Sequence, residues 1–290
     1  MNRTKIAKDL LRIAEGLLRT AEDDFDEQAW SDAGWKDPAE ALYWYRVGWK
    51  NPREALEWYD SGWGDADDAY GWWIANWDNP VEARAWYNDG WRDPYDALAW
   101  YQAGWGDPEE ALAWYQAGWG DPYDALDWYK AGWRKDPRKA CIWWKADWDD
   151  PEEALTWLDA GWENPETAYI WKEAGWDSGF EAREWYETPW REDVESALYW
   201  YRAAWKNPRE ALEWYDSGWE DPDDAFYWWK AYWEKPEEAL RWYNAGWERP
   251  KEALAWYKAG WQDPEEALDW KGKGFNDPKE ALKSFEGGSV

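Results

Sequence analysis

Paired tryptophans that recur every fourteen residues are the side chains of this chain best suited to binding a ligand. One complete repeat, Asp107 to Gly120, reads Asp-Pro-Glu-Glu-Ala-Leu-Ala-Trp-Tyr-Gln-Ala-Gly-Trp-Gly, so that Trp114 and Trp119 occupy its positions 8 and 13. Exposed tryptophan and tyrosine rings stack on sugar rings and surround quaternary ammonium groups. One candidate function is therefore a carbohydrate- or small-ligand-binding module that uses surface aromatics.

The repeat accounts for every tryptophan, which favours a structural role instead. Positions 8 and 13 supply 17 tryptophans each, three more replace tyrosine at position 9, and Trp30 lies in an imperfect leading repeat, which together make up all 38. Aromatic residues at helical spacing usually form a core. We therefore place the candidate binding residues where the pattern changes, at positions 9 and 6. They are Trp73, Trp144, Trp229, Arg84 and Arg183.

The two arginines occupy position 6, where most repeats carry leucine. Each is expected to lie among aromatic faces, and stacking of the guanidinium on a ring is the simpler interpretation. A pocket for an anion or a partner is the alternative. Cys141 holds the same position and is interpreted as a small core residue.

The ionisable residues predict no catalytic residue, metal site or cofactor. Any two of the 63 acidic residues could be proposed as a glycosidase pair, but helix capping already explains the glutamate at position 4. No spacing typical of a calcium-binding EF-hand occurs. The chain has no histidine and a single cysteine, so the commonest general base and metal ligand is missing. We expect a protein without enzyme activity.

The net charge of −30 limits the choice of partners. Nucleic acids and anionic membranes attract clustered lysine and arginine, so neither is expected as a partner. No apolar run approaches the roughly 20 residues of a membrane helix. A protein partner or a homo-oligomer is expected, with mimicry of nucleic acid as an alternative that depends on charge alone. Residues 1–19 do not resemble a secretory leader, so we expect a cytoplasmic or virion-associated location.

Each repeat has the start and stop signals of one short helix. Asp107 is a good N-cap, Pro108 suits the first helical position, and Glu110 completes an Asp-x-x-Glu capping box. Gly118 is expected to end the helix in a left-handed conformation. In such an ending the following residue packs on the last turn. The two tryptophans of each repeat should therefore touch each other across the turn.

The pattern predicts an all-α fold with one short helix per 14 residues, stacked into an α-solenoid or superhelix. Helices joined by turns of three or four residues pack antiparallel to their neighbours, and a closed ring is the alternative. We expect three segments: an amphipathic capping or docking helix over 1–22, a continuous repeat array over 23–286, and a disordered tail over 287–290.

Two one-residue insertions and a longer internal likeness interrupt this regularity. The insertions lie between Trp133 and Trp148 and between Trp190 and Trp205. The least regular stretch, 177–194, is the predicted joint of the array because Pro189 occupies the place of the helix-ending glycine. Residues 41–63 and 197–219 differ at only two positions, at an offset of 156 residues. This likeness favours a segmental duplication, and a superhelical turn that returns these positions to one side is the alternative.

The repeat resembles a family of short helical tandem repeats reading Ser-Pro-Glu-Glu-Ala-x-x-Trp-x-x-Ala-Gly-Phe, and the likeness runs from Trp35 to Phe285. This resemblance implies a helical repeat fold and no particular activity. Residues 5–14, Lys-Ile-Ala-Lys-Asp-Leu-Leu-Arg-Ile-Ala, are also similar to opening helices of some large-phage proteins. The hypothesis that follows is a non-enzymatic structural or interaction scaffold, a rigid acidic repeat protein that binds other proteins or self-assembles.

Overall fold

Short helices follow one another through the whole described part of the chain. The computed structural model describes residues 24–287, so the expected N-terminal helix at 1–22 and the last residues of the expected tail lie outside it. Within that range there are 19 α-helices and no strand. Their bounds are α1 Glu27–Ala33, α2 Pro38–Val47, α3 Pro52–Asp60, α4 Ala66–Ile74, α5 Pro80–Asn88, α6 Pro94–Gln102, α7 Pro108–Gln116, α8 Pro122–Lys130, α9 Pro137–Trp144, α10 Pro151–Asp159, α11 Pro165–Glu173, α12 Gly179–Tyr186, α13 Val194–Arg202, α14 Pro208–Asp216, α15 Pro222–Trp229, α16 Pro236–Asn244, α17 Pro250–Ala259, α18 Pro264–Gly272 and α19 Pro278–Gly287.

The start of each helix follows the predicted capping chemistry in part. The backbone N–H groups of Glu109 and Glu110 donate to Asp107 Oδ1 at 2.9 and 3.1 Å, and the helix begins at Pro108. The carboxylate of Glu110 takes a role that the capping box does not anticipate. Its Oε2 accepts a 2.6 Å hydrogen bond from the hydroxyl of Tyr129, in the next repeat. The acidic residue at position 4 therefore links two repeats.

The end of a regular helix confirms the predicted turn. Gly104 has a φ of +105°, and its N–H donates to the Tyr101 carbonyl at 3.0 Å. The N–H of Trp105 donates to the Trp100 carbonyl at 3.4 Å, which completes a Schellman ending. The rings of Trp100 and Trp105 lie 5.1 Å apart between centroids. The predicted contact between the two tryptophans of a repeat is therefore present.

Alternate helices stack on each other, and the tryptophans join them. Trp105 also packs on Trp114 of the next repeat at 5.8 Å and on Tyr129 of the next but one at 5.1 Å. Its indole Nε1–H donates to the carbonyl of Pro122, the first residue of the helix after next, at 3.0 Å. We call the alternating rings of positions 8 and 13 the tryptophan ladder. Because helices contact their next and next-but-one neighbours, as α1 contacts α2 and α3 in the first unit and α16 contacts α17 and α18 in the second, the fold is an all-α helical repeat solenoid.

The chain divides into two compact units, one ending at Trp144 and the other beginning at Lys145. The irregular segment 177–194 lies inside the second unit. Both inserted residues are absorbed by 3-10 turns, at Trp133–Lys135 and Pro189–Glu192. The hydroxyl of Thr188 accepts from the Trp190 backbone N–H at 3.3 Å in the second of these turns, so the helix before Pro189 ends without a left-handed glycine.

Candidate functional site

The tryptophans form the core of the solenoid, and none of them is exposed. Four are half-buried and the other 34 are buried, commonly with under 4% of their surface exposed. Their faces are covered by neighbouring rings rather than open to solvent. The half-buried ones are Trp73, Trp144, Trp229 and Trp270. The aromatic side chains that do reach the surface are mainly tyrosines.

The three position-9 tryptophans singled out by the sequence take the place of the tyrosine that usually packs against the tryptophan ladder. Each packs on the position-13 tryptophan two repeats earlier, with centroid distances of 5.3 Å for Trp73, 5.3 Å for Trp144 and 5.5 Å for Trp229. The indole Nε1–H of Trp73 donates to Glu54 Oε1 at 3.0 Å, as a tyrosine hydroxyl does in other repeats. One face of Trp229 stacks on Phe226 at 5.3 Å. These contacts give all three a structural role, with part of each ring still exposed.

The two arginines differ from each other in their contacts. Arg84 Nη1 donates to the carbonyl of Ser61, just after the end of α3, at 2.9 Å. Its guanidinium packs against Gly62. Arg183 has its guanidinium 5.6 Å from the ring of Trp162, beside a 250 Å³ pocket. The structure therefore gives the expected ring contact to Arg183 and a carbonyl contact to Arg84. Arg84 belongs to the first unit and Arg183 to the second.

Tyrosine–carboxylate pairs run along the surface, and the pKa values of several of the tyrosines are raised. A tyrosine hydroxyl at position 9 donates to the position-4 carboxylate of the preceding repeat, as Tyr115 does to Asp96 Oδ2 at 2.7 Å. This hydrogen bond raises the pKa of Tyr115 above its ordinary value. Burial, together with a bond to Glu181, raises the pKa of Tyr201 to about 12. The carboxylates act as structural acceptors, and their regular spacing is explained by the repeat.

The surface around Tyr232 departs from the regular repeat and forms a concave region of the second unit. Tyr232 stands where most repeats have the helix-ending glycine, with a φ of +69° and 78% of its surface exposed. It separates two clefts. One, of about 670 Å³, is lined on its polar side by Lys230, Arg249 and Lys251, and we call it the basic cleft. The other, of about 600 Å³, is lined by Trp229 and by three glutamates, Glu210, Glu213 and Glu234.

Reasoning from the repeat alone identified Trp229 but missed the basic cleft. The signal lay in the N-cap positions, where nearly all repeats carry aspartate, asparagine or serine. Lys235 and Arg249 replace those residues before α16 and α17, and neither side chain caps its helix. Read with Tyr232, these two changes mark consecutive repeats whose surface differs from the rest.

The sequence matches no known protein family, and neither the curated proteins nor the solved structures include a chain significantly similar to it. Over residues 24–287 no helix combines the length and apolarity needed to cross a membrane. The same residues contain no group of three or more acidic or cysteine side chains placed to hold a metal ion.

Proposed function

We propose that the protein is a non-enzymatic interaction scaffold that presents side chains at fixed spacing to a protein partner, including a second copy of itself. One observation carries the proposal. Position 7 is apolar and exposed on three alternate helices of the second unit, at Ile170 (57%), Tyr199 (50%) and Tyr227 (56%). We call these residues the apolar stripe. The likeness to the Ser-Pro-Glu-Glu-Ala repeat family belongs to the same proposal, because it offers a fold and no catalytic residues.

The helices between those of the apolar stripe carry charged residues at the same position. The two sets of alternate helices therefore present different side chains to solvent. Position 7 of α12, α14 and α16 carries Glu184, Glu213 and Arg241, all exposed. Apolar side chains rimmed by charged ones are typical of protein interaction sites, and tyrosine is enriched there. The burial of the tryptophans also favours this function over a tryptophan platform for sugars, since their faces are engaged within the core.

Light scattering after size exclusion tests the proposal over a range of protein and salt concentrations. Repulsion between chains of net charge −30 opposes association at low salt and is screened at higher salt, where the Debye length falls to about 8 Å. We expect the mass to rise with protein concentration at high salt, or a partner from the source cell to cross-link to the chain. The double variant Ile170→Glu with Tyr199→Glu should lose either interaction.

The control is Val81→Glu, which adds a charge at a 63% exposed apolar residue in the other unit. It should behave as the unchanged protein does. The proposal fails if the chain stays monomeric under all conditions and no cross-linked partner is lost on changing the apolar stripe.

A further inference from the structure

We propose that the basic cleft binds a small, multiply charged anion that carries a planar ring, of the kind represented by a nucleoside diphosphate. The cleft lies between the end of α15 and the start of α17, on helices that stack on each other. Its volume of about 670 Å³ falls within the roughly 300–1,000 Å³ of small-molecule sites. This inference concerns a ligand site and goes beyond the scaffold role, with which the cleft shares one residue, Tyr227.

The charge of the cleft is opposite to that of the chain around it. Lys230, Arg249 and Lys251 line one concave surface in a protein of net charge −30. Its one carboxylate, Glu252, is held by Lys271, with Nζ 2.9 Å from Oε2. In the described part of the chain, no ion pair joins Arg249 or Lys251 to a carboxylate. A local excess of cations in a cleft attracts and concentrates anions.

Two tyrosines supply flat surfaces beside these cations. Tyr227 is 56% exposed and Tyr232 is 78% exposed. A left-handed backbone is unfavourable for a non-glycine residue, and burial of the ring does not offset this cost at Tyr232. Tyrosine faces stack on planar ring systems. Cations and tyrosines together match a ligand that combines charge with a planar ring.

The duplicated segment provides a comparison within the chain. The residues 156 positions before the cleft belong to the same places in the repeat, and the buried Trp77 and Trp91 there correspond to Trp233 and Trp247. The cleft residues do not correspond. In place of Tyr227, Lys230, Tyr232, Arg249 and Lys251, the earlier segment has Gly71, Ile74, Asn76, Asp93 and Tyr95. The fold accepts either set, so the repeat architecture does not require the cations or the tyrosines.

Titration calorimetry on the full chain at low salt tests the proposal with three probes: adenosine diphosphate, inorganic pyrophosphate and adenosine. Adenosine diphosphate should bind at least about tenfold more tightly than either of the others, because only it engages both the cations and the rings. The double variant Arg249→Asp with Lys251→Tyr introduces the earlier segment's residues and should weaken that binding by about tenfold or more. Tyr232→Asn should weaken the binding of adenosine diphosphate and leave the affinity for pyrophosphate unchanged.

The control variant Arg134→Asp with Lys130→Tyr makes the same change in net charge at exposed residues of the other unit. It should keep the affinity of the unchanged protein, and circular dichroism should show equal helicity for all variants. The proposal is overturned if adenosine diphosphate does not bind at about 1 mM, if pyrophosphate binds equally well, or if the cleft variant and the control lose affinity alike. Binding of an acidic peptide in place of the three probes would also overturn it.

Discussion

Replacing Trp105 by alanine tests whether the tryptophan ladder holds the solenoid together. The ring is 3% exposed and contacts Trp100, Trp114 and Tyr129, while its Nε1–H binds the Pro122 carbonyl. Burial of about 200 Å² at 25 cal/mol per Å² gives about 5 kcal/mol as an upper bound. The hydrogen bond adds about 1 kcal/mol. Partial collapse of the cavity reduces the total, and we expect a loss of about 4 kcal/mol.

Urea unfolding followed by circular dichroism and tryptophan fluorescence measures this loss. Trp105→Phe keeps a ring and removes the indole N–H, so it should cost about 1–2 kcal/mol. Trp270→Ala removes a half-buried ring and should cost less than Trp105→Ala. Because stability in repeat proteins is carried by contacts between neighbours, the alanine variant should also broaden the transition. A loss below about 1 kcal/mol for Trp105→Ala, or equal losses for the alanine and phenylalanine variants, would show that the tryptophan ladder does not stabilise the solenoid as proposed.

Three further predictions concern the turns and the tyrosines. Gly62→Ala should lose about 1–3 kcal/mol in urea unfolding, because φ is +90° and a Cβ would overlap the Arg84 guanidinium, whereas Gly64→Ala, in open space, should change stability by about 0.5 kcal/mol or less. Tyr232→Gly should raise the thermal midpoint by relieving its positive φ, with a gain of about 1 kcal/mol; an unchanged midpoint would contradict the strain. The folded-state pKa of Tyr201, about 12, exceeds the unfolded value of 10.0, so its stabilisation is complete below that unfolded value and is lost as the pH rises toward 12. A pH titration followed by tyrosinate absorbance should show one tyrosine that ionises near pH 12 and that is absent from the Tyr201→Phe variant.

The local structure of the repeat was predictable because each signal acts within a few residues. Asp107, Pro108 and the helix-ending glycine each satisfy or terminate backbone hydrogen bonds of their own helix. The contact between Trp100 and Trp105 also follows from a single turn. These features depend on backbone geometry that does not change with the surrounding fold, and the structure confirms them.

Contacts between repeats could not be derived in the same way, because the fourteen-residue period does not state which neighbour a side chain reaches. The bond from Trp105 to Pro122 spans 17 residues, and the bond from Tyr129 to Glu110 spans 19. The second of these accounts for a carboxylate that helix capping alone had seemed to explain. The candidate site shows the same limit. The sequence identified Trp229 because it replaces the usual tyrosine at position 9. The cleft that Trp229 lines could not be identified in the same way, because it depends on which helices stack on each other.

The two insertions indicate what sets the register of the solenoid. In regular repeats the indole of position 13 reaches a carbonyl 17 residues ahead, as Trp105 does, but Trp119 reaches Pro137 and Trp190 reaches Pro208, each 18 residues ahead, at 3.0 and 2.9 Å. The chain takes up the extra residue in a 3-10 turn and keeps the tryptophan–carbonyl bond of Trp119 and Trp190, whereas the buried Nε1 of Trp176 has no hydrogen-bond partner within residues 24–287. Register therefore follows the ladder and not the residue count. We therefore expect a function specific to this protein to depend on the exposed positions 3, 7 and 10 and on turn exceptions such as Tyr232, which lie outside the ladder.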